Sequence, residues 1–241
     1  MTTVDIVIPV YNEEEGIRDS IEKLSNFLKK SEFHYNCRII IADNASTDNT
    51  GKIAKELEKK YQSVKYVRIN RKGRGFALKH VWSKSNADVV SYMDVDLSTD
   101  LNYFKPLVDA IVVNKNQLAI GNRHGKHSKV IGRRISREIL SRGYNILMRT
   151  FFLIPINDAQ CGFKAMNTAS FKKLVTEIEN NNWFFDSELI LLALKRGMNV
   201  AQIDVRWVDD PGSRVNVAKT AYEDIRGMLR IKKKFLTEYF S

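Results

Sequence analysis

Long apolar runs are missing from this chain of 241 residues. The longest uninterrupted one is the six-residue run Leu189 to Leu194, where a membrane-spanning helix needs about 20, so no transmembrane helix is expected. Cysteine is scarce: Cys37 and Cys161 are the only two, too few for the disulfide framework of a small secreted domain. The 12 Gly and 4 Pro exclude a collagen-like, low-complexity or linker-rich chain. The N-terminus lacks a secretory pattern, because its first basic residue is Arg18 and Asp5 interrupts the early apolar stretch. A cytosolic chain is the expectation. His34, His80, His124 and His127 show no metal-ligand spacing and read as surface or packing residues.

What is present is an ordinary globular composition, 44% hydrophobic and 28% charged, in a chain long enough to bury a full core. The charge is uneven. Arg123 to Arg149 and Arg214 to Ser241 carry +7 and +4, the whole net charge of +11. An anionic partner is expected there: lipid headgroups, a phosphorylated substrate or nucleic acid. Both segments also place apolar residues at helical spacing. Ile131, Ile135 and Ile139 share a face in the first, with Arg133, Arg134 and Arg137 roughly opposite. Tyr222, Ile225, Met228 and Leu229 share one in the second, continuing to Phe235 and Leu236. Such helices lie in a membrane interface or pack on their own core with a basic face in water.

Val4 to Val10 reads as a buried strand, and Glu13 to Lys30 as a helix on Ile17, Ile21, Leu24 and Leu28. Strands over 38–42, 64–69 and 89–94 alternate with helices over 50–61 and 75–85. A helix over 101–113 and a short strand over 117–121 follow. That alternation predicts an α/β fold, a doubly wound, mostly parallel sheet with helices on both faces. Beyond about residue 122 it breaks into helices over 169–179 and 186–196 and one strand over 200–207. The expected division is a domain over 1–217, with halves 1–122 and 123–217, and a basic amphipathic helix over 218–241.

Ligands of such sheets bind beyond the carboxyl ends of the strands, and polar residues gather at four consecutive ends. They are Tyr11, Asn12 and Glu13; Asp43 and Asn44; Asn70, Gly73, Arg74 and Gly75; and Asp94 with Asp96. Each group alone can be turn or cap chemistry. Asp94 and Asp96 are the sharpest pair, because residues two apart in extended chain face the same side. Two carboxylates there repel unless a cation intervenes. A few hard oxygens completed by phosphate suit Mg²⁺ or Mn²⁺.

The segment Pro9-Val10-Tyr11-Asn12-Glu13, Asp43, Asn70-x-x-Gly73-x-Gly75 and Asp94-x-Asp96 together resemble the nucleotide-sugar half of glycosyltransferase family 2, with its GT-A fold. Asp158-Ala159-Gln160-Cys161-Gly162-Phe163-Lys164 and Trp183 to Glu188 resemble the acceptor half of the polyprenyl-phosphate members, the dolichyl-phosphate mannose and glucose synthases. The resemblance implies that Pro9, Tyr11, Asn12, Glu13, Asp43, Asn44, Asn70, Gly73, Arg74 and Gly75 hold the nucleotide sugar. Asp94 and Asp96 would hold the metal, and Asp186 and Glu188 would lie near the sugar. Arg123 would meet acceptor or leaving-group phosphate. Asp158, Gln160 and Lys164 would line the acceptor side, with Arg137, Arg206 and Arg214 as further phosphate contacts. Asn44 and Ala45 depart from the relatives, many of which have Asp then Gly there. Many relatives also carry membrane-spanning helices.

The expected reaction moves a hexose from UDP-glucose or GDP-mannose, the form of the Gln160 to Lys164 turn leaning toward glucose, to a polyprenyl or dolichyl phosphate. It is expected to invert, to need metal, and to occur with the chain peripherally bound at the cytoplasmic face of a membrane, with or without a separate membrane subunit. The acceptor is a phosphate monoester whose second pKa is about 6, so it is already nucleophilic at neutral pH. A family 2 enzyme acting on a soluble or polysaccharide acceptor and a nucleotidyltransferase are the competing readings. Nucleic acid is not an expected partner, since no reading motif accompanies the charge.

Overall fold

The computed structural model describes residues 1–30, 34–209 and 217–240; Arg214 lies outside the described residues. The first half alternates as expected: β1 (Thr3–Val10), α1 (Ile17–Lys30), β2 (Asn36–Asn44), α2 (Thr50–Lys60), β3 (Val64–Ile69), α3 (Arg74–Lys84), β4 (Val89–Met93), α4 (Phe104–Val112) and β5 (Leu118–Asn122). Next come β6 (Lys129–Ile131), α5 (Ile135–Phe152), β7 (Phe163–Asn167), α6 (Thr168–Leu174), α7 (Phe185–Lys195), β8 (Val200–Asp204), β9 (Arg206–Val208) and α8 (Val217–Phe240).

The main sheet has seven strands in the order β3-β2-β1-β4-β7-β5-β8. Only β7 runs antiparallel to its neighbours, so the sheet is doubly wound and mostly parallel, the expected α/β architecture. Each face is covered by its own apolar layer: Val4, Ile6, Ile8 and Val10 of β1 point into one cluster and Val7 into the other. This is the period of two that a strand buried on both faces requires.

Several boundaries differ from the sequence reading. The first helix starts at Ile17 and not Glu13, because the Glu13 amide is taken by Thr50 Oγ1 at 2.8 Å and Asn12 sits at φ 54°. The 200–207 strand breaks at Val205 into β8 of the main sheet and β9, which pairs with β6 in a separate two-stranded sheet. Ile131 belongs to β6 and does not continue the α5 stripe. β7 has no clean alternation in sequence; it lies between β4 and β5 with Lys164 facing inward, opposite Tyr92. It places a strand of the 123–217 half at the centre of the sheet, so both halves share one core.

The two basic helices divide their faces in an unexpected way. On α5 the buried residues are Ser141, Asn145 and Met148, while Ile135, Ile139 and Ile146 are 78%, 64% and 59% exposed. α8 buries Asp224, Met228 and Ile231 and leaves Tyr222, Ile225, Leu229 and Leu236 outside. The helices meet where Phe152 packs on Phe235 at 6.4 Å and Lys232 Nζ donates to the Phe151 carbonyl at 2.9 Å. Among the described residues no helix is long and apolar enough to cross a membrane.

Candidate active site

The carboxyl ends of β1 to β4 converge. After β1, Asn12 Oδ1 accepts from the Thr47 amide at 2.8 Å, and its own amide donates to Ser46 Oγ at 3.0 Å, which ties the first two loops together. Pro9 is the second-to-last residue of β1, level with Ala42 of β2. Asp43, second-to-last in β2, is fully buried, held by Arg68 Nη1 at 2.6 Å, Tyr66 Oη at 2.8 Å and the Ser46 amide at 2.9 Å. Burial works to raise its pKa, but the Ser46, Arg68 and Tyr66 contacts win and hold it below the usual carboxylate range. Beside it Asn44 is buried with its Oδ1 unpartnered, an acceptor left for a ligand such as a nucleoside base. Tyr11 lies under Lys72 Nζ, which also contacts its hydroxyl.

The loop after β3 must turn sharply into α3. Gly73 has φ +136°, and a Cβ there would meet the Asn181 carbonyl at 2.5 Å; one at Gly75 would meet Phe185 Cβ at 2.6 Å. The glycines therefore let α3 start directly against the 181–185 segment, and that close approach aims Arg74 inward. Asn70 stays exposed on the same loop. Arg74 Nη2 donates to Asp94 Oδ1 at 2.7 Å and Nη1 to Asp186 Oδ2 at 2.6 Å, with Tyr92 and Trp183 rings 4.8 Å and 5.2 Å from the guanidinium. Asp186 also accepts from the Tyr92 hydroxyl, and Lys164 Nζ lies 3.0 Å away. Despite burial, the Lys164 and Arg74 charges keep Asp186 ionised, below the usual range.

These placements revise two sequence-level roles. Lys164 is fully buried beneath the site, its ammonium on the Cys161 carbonyl at 2.5 Å and on Asp186, and does not line the acceptor side. Glu188 turns away from Asp186, since helical residues two apart point about 200° from each other. Its carboxylate accepts from the Asn180 amide at 2.7 Å and Arg230 Nη2 at 2.9 Å, so it anchors the 179–182 segment and α8. Neither carboxylate caps α7, whose N-cap is Phe184.

Asp94 and Asp96 follow β4 and line a narrow cleft with Ser98, Thr99, Gly162 and Trp207. Asp96 Oδ1 accepts from the Ser98 amide at 2.9 Å. The Asp94 side chain is 43% exposed. Only glycine fits at 162, because a Cβ there would overlap the Asp94 carboxylate. Two hard carboxylates from one strand end, with hydroxyls beside them, fit a Mg²⁺ or Mn²⁺ that takes its remaining ligands from phosphate and water. Among the described residues no third Asp, Glu, His or Cys completes a protein-only cage. Gly162→Ala should therefore swing Asp94 off its position at little cost to the fold: divalent-cation affinity by calorimetry falls at least tenfold, while the melting temperature holds.

Across the cleft, Arg123 forms a bidentate pair with Asp158, Nε–Oδ2 2.7 Å and Nη2–Oδ1 2.9 Å, and its amide also donates to Oδ2 at 3.0 Å. Burial opposes ionisation of Asp158, yet the Arg123 charge drives its pKa well below the usual carboxylate range. Trp207 lies 5.5 Å from the Arg123 guanidinium and 5.4 Å from that of Arg133. Arg133 pairs with Glu138 at 3.0 Å, but its Nε is buried without a partner among the described residues, and burial and the Arg123 charge pull its pKa below the usual arginine range. Arg137 is held by Asp209 at 2.9 Å, and Arg206 lies 3.7 Å from Asp100. Gln160 Nε2 donates to Asp224 Oδ2 on α8 at 3.0 Å.

Tyr92, Arg133, Trp207 and Asp224 were not singled out for the site from sequence. Tyr92 was accessible to the same argument as Asp94 and Asp96, since all three share one strand period. Trp207 reaches the cleft only because β9 leaves the main sheet, and Thr99 bridges to it. A wider open groove of about 440 Å³ lies on the outer side of α3, lined by Arg71, Phe76, Lys79 and His80. It shares no carboxylate with the strand-end cluster.

The sequence model for Glycosyl transferase family 2 matches residues 5–175. The chain is 33% identical to Glycosyltransferase AglD of Haloferax volcanii over 230 residues, 93% of this chain but 35% of AglD, so it spans about a third of that relative's length. It is 28% identical to the Dolichyl-phosphate beta-glucosyltransferase of Saccharomyces cerevisiae, covering 97% of this chain and 75% of the relative. Among solved structures it resembles glucosyl-3-phosphoglycerate synthase from Mycobacterium tuberculosis in complex with UDP, with a TM-score of 0.67 at 19% identity over 95% of this chain and 79% of that one. At that identity the likeness concerns the fold. Because the family match runs unbroken from β1 to the end of α6, across all four converging strand ends, this chain belongs to glycosyl transferase family 2 and has its GT-A fold.

Proposed function

We propose that the chain transfers glucose, with inversion, from UDP-glucose to a dolichyl or other polyprenyl phosphate at a membrane surface, with Mg²⁺ or Mn²⁺. The observation that carries this is Trp207. It lines the Asp94–Asp96 cleft and lies against both Arg123 and Arg133, so a donor diphosphate and an acceptor phosphate meet on either side of one indole. The names of the similar dolichyl-phosphate beta-glucosyltransferases support glucose as the sugar and the lipid phosphate as acceptor.

In this reading an ionised acceptor oxygen forms the bond to the anomeric carbon as the bond to UDP breaks, and the electron pair leaves on the β-phosphate. No general base is required, because the nucleophile is already an anion. Asp94 and Asp96 would hold the divalent ion, which supplies positive charge for the departing diphosphate. Arg74 supplies the fixed cation, and Asp186, saturated by Arg74, Lys164 and Tyr92, holds it in place. The buried, unpartnered Nε of Arg133 is the donor left for the acceptor phosphate, whose charge would also relieve the Arg123–Arg133 repulsion. Measuring glucose transfer from UDP-glucose into extractable lipid, against GDP-mannose and against a short water-soluble phosphate acceptor, tests this. Equal transfer to the soluble acceptor overturns the lipid assignment, and preference for GDP-mannose overturns the donor.

The outward apolar stripes of α5 and α8 support a peripheral membrane position. Exposed Arg134, Arg149, Arg226 and Lys233 accompany them, each worth about 1 kcal/mol near an anionic surface. Arg137 is committed to Asp209, and Arg133 pairs with Glu138 and faces Trp207 in the cleft, so neither is counted among the membrane contacts. The expected result is flotation with anionic liposomes at low salt. Ile139→Asp with Ile146→Asp should reduce it at least tenfold, as should high salt, because the attraction is screened over about 8 Å at physiological ionic strength. Failure of the wild type to float would remove the membrane from the proposal.

A further inference from the structure

The inward face of α8 is polar at one point. Asp224 is 3% exposed, one turn before the place where α8 comes closest to the catalytic core. At Gly227 a Cβ would overlap the Phe184 ring, so the α8 backbone lies directly on the start of α7. The Asp224 carboxylate takes one neutral donor, Gln160 Nε2 at 3.0 Å, and no cation pairs with it among the described residues. Gln160 belongs to the loop that presents Asp158 to Arg123. Its own amide donates to Asp158 Oδ1 at 3.1 Å, and the Ala159 amide donates to Asn145 Oδ1 of α5 at 2.9 Å.

A buried carboxylate with a single neutral partner is poorly stabilised as an anion. The titratable groups acting on it are Asp186 of α7 and Glu223 of α8 itself, while Tyr144 of α5, bonded to Ser187 Oγ at 2.6 Å, feels its charge. None is a cation. Burial first, then the Asp186 and Glu223 charges, push the carboxyl up to about 7.

We propose that Asp224 is a positioning residue for the acceptor side of the site: its protonated carboxyl seats α8 on the Asp158–Gln160 loop, and its ionisation loosens that seat. The term acceptor side rests on the transfer reaction proposed above; the seating of α8 does not. The sign follows from the raised value. Docking stability is present in full below the free carboxyl's pKa of about 3.9 and is lost as pH climbs toward about 7. Above that the group is ionised whether α8 is docked or not, and the dependence ends. Within the window the docking equilibrium changes by up to about tenfold per pH unit.

Hydrogen exchange of the full chain between pH 5 and 8, corrected for intrinsic rates, tests this without reference to transfer. In the wild type, peptides covering α8 and residues 158–162 should open up to about tenfold more per unit from pH 5 to 7, then level off, while α2 stays constant. Asp224→Asn, which keeps an acceptor for Gln160 but cannot ionise, should flatten both profiles. The ratio of the wild-type acceptor KM to that of Asp224→Asn should rise over the same interval, a comparison in which the acceptor's own ionisation cancels, with the donor KM ratio unchanged. A flat wild-type profile overturns the proposal without any variant. So do identical profiles for wild type and Asp224→Asn, or opening of α8 that leaves 158–162 unaffected. If the chain transfers no glucose to lipid phosphate, the KM comparison fails alone and the exchange result stands.

Discussion

Replacing Asp96 with Asn should lower glycosyl transfer by about 10²–10³-fold, the usual loss when one preorganised electrostatic contact to a departing group is removed. The fold should hardly notice. Asp96 is exposed in the turn after β4, and one of its contacts there is Oδ1 accepting from the Ser98 amide at 2.9 Å, which an Asn oxygen reproduces. Asp96→Ala loses that contact as well, at about 1 kcal/mol, or a melting shift of about 2–4 °C for a chain of this size. Turnover measured across a Mg²⁺ and Mn²⁺ titration, with melting curves beside it, separates the two effects. Near-normal turnover of Asp96→Asn, or wild-type activity that persists in excess EDTA, would contradict the metal role.

Arg123→Ala should act mainly on stability, although the family resemblance assigns Arg123 to acceptor or leaving-group phosphate. The substitution leaves Asp158, fully buried and ionised by that guanidinium, without a counter-charge. Breaking a buried pair in this way costs about 3–5 kcal/mol. The pH dependence supplies a signature. In the wild type Asp158 is held low, so its contribution is present above the free carboxyl value of about 3.9 and fails only in acid. In Arg123→Ala burial raises it instead, so stability falls as pH climbs from about 4. Urea midpoints at pH 5 and 7 read this directly. Arg123→Met with Asp158→Asn should recover part of the loss, since the neutral amide needs no counter-charge and keeps an oxygen for the Arg123 or Gln160 amide. An Arg123→Ala chain of wild-type stability with a raised acceptor KM would return Arg123 to phosphate binding alone.

The strand-end residues of the donor half were legible because their spacing carries the information. Val4 to Val10 can only be a strand, and Gly73 and Gly75 flank an arginine; these local constraints of period two, turn chemistry and helix start are kept in the folded chain. Asp94 and Asp96 line one cleft, but from the turn after β4, which ends at Met93, and not from an extended strand. The acceptor half was less legible because its key strand breaks the pattern: β7 carries a lysine into the core, where Asp186, the Tyr92 hydroxyl and the Cys161 carbonyl make that tolerable. A sequence shows Glu188 two residues from Asp186 but not its partners on the other side of the helix, the Asn180 amide and Arg230.

By itself, then, the sequence determined the α/β architecture, the donor-side cluster and the concentration of positive charge, all of which depend on neighbours within a few positions. The tertiary structure decided which charges are free. Arg123, Arg137 and Lys164 look like phosphate ligands in the sequence and are neutralised in the fold by Asp158, Asp209 and Asp186. Arg133, which the sequence places only on a basic face opposite the isoleucine stripe, keeps a buried donor unpaired among the described residues. The physical reason is that a buried charge is tolerated only beside its partner, and the partners here lie 22 to 72 residues away along the chain.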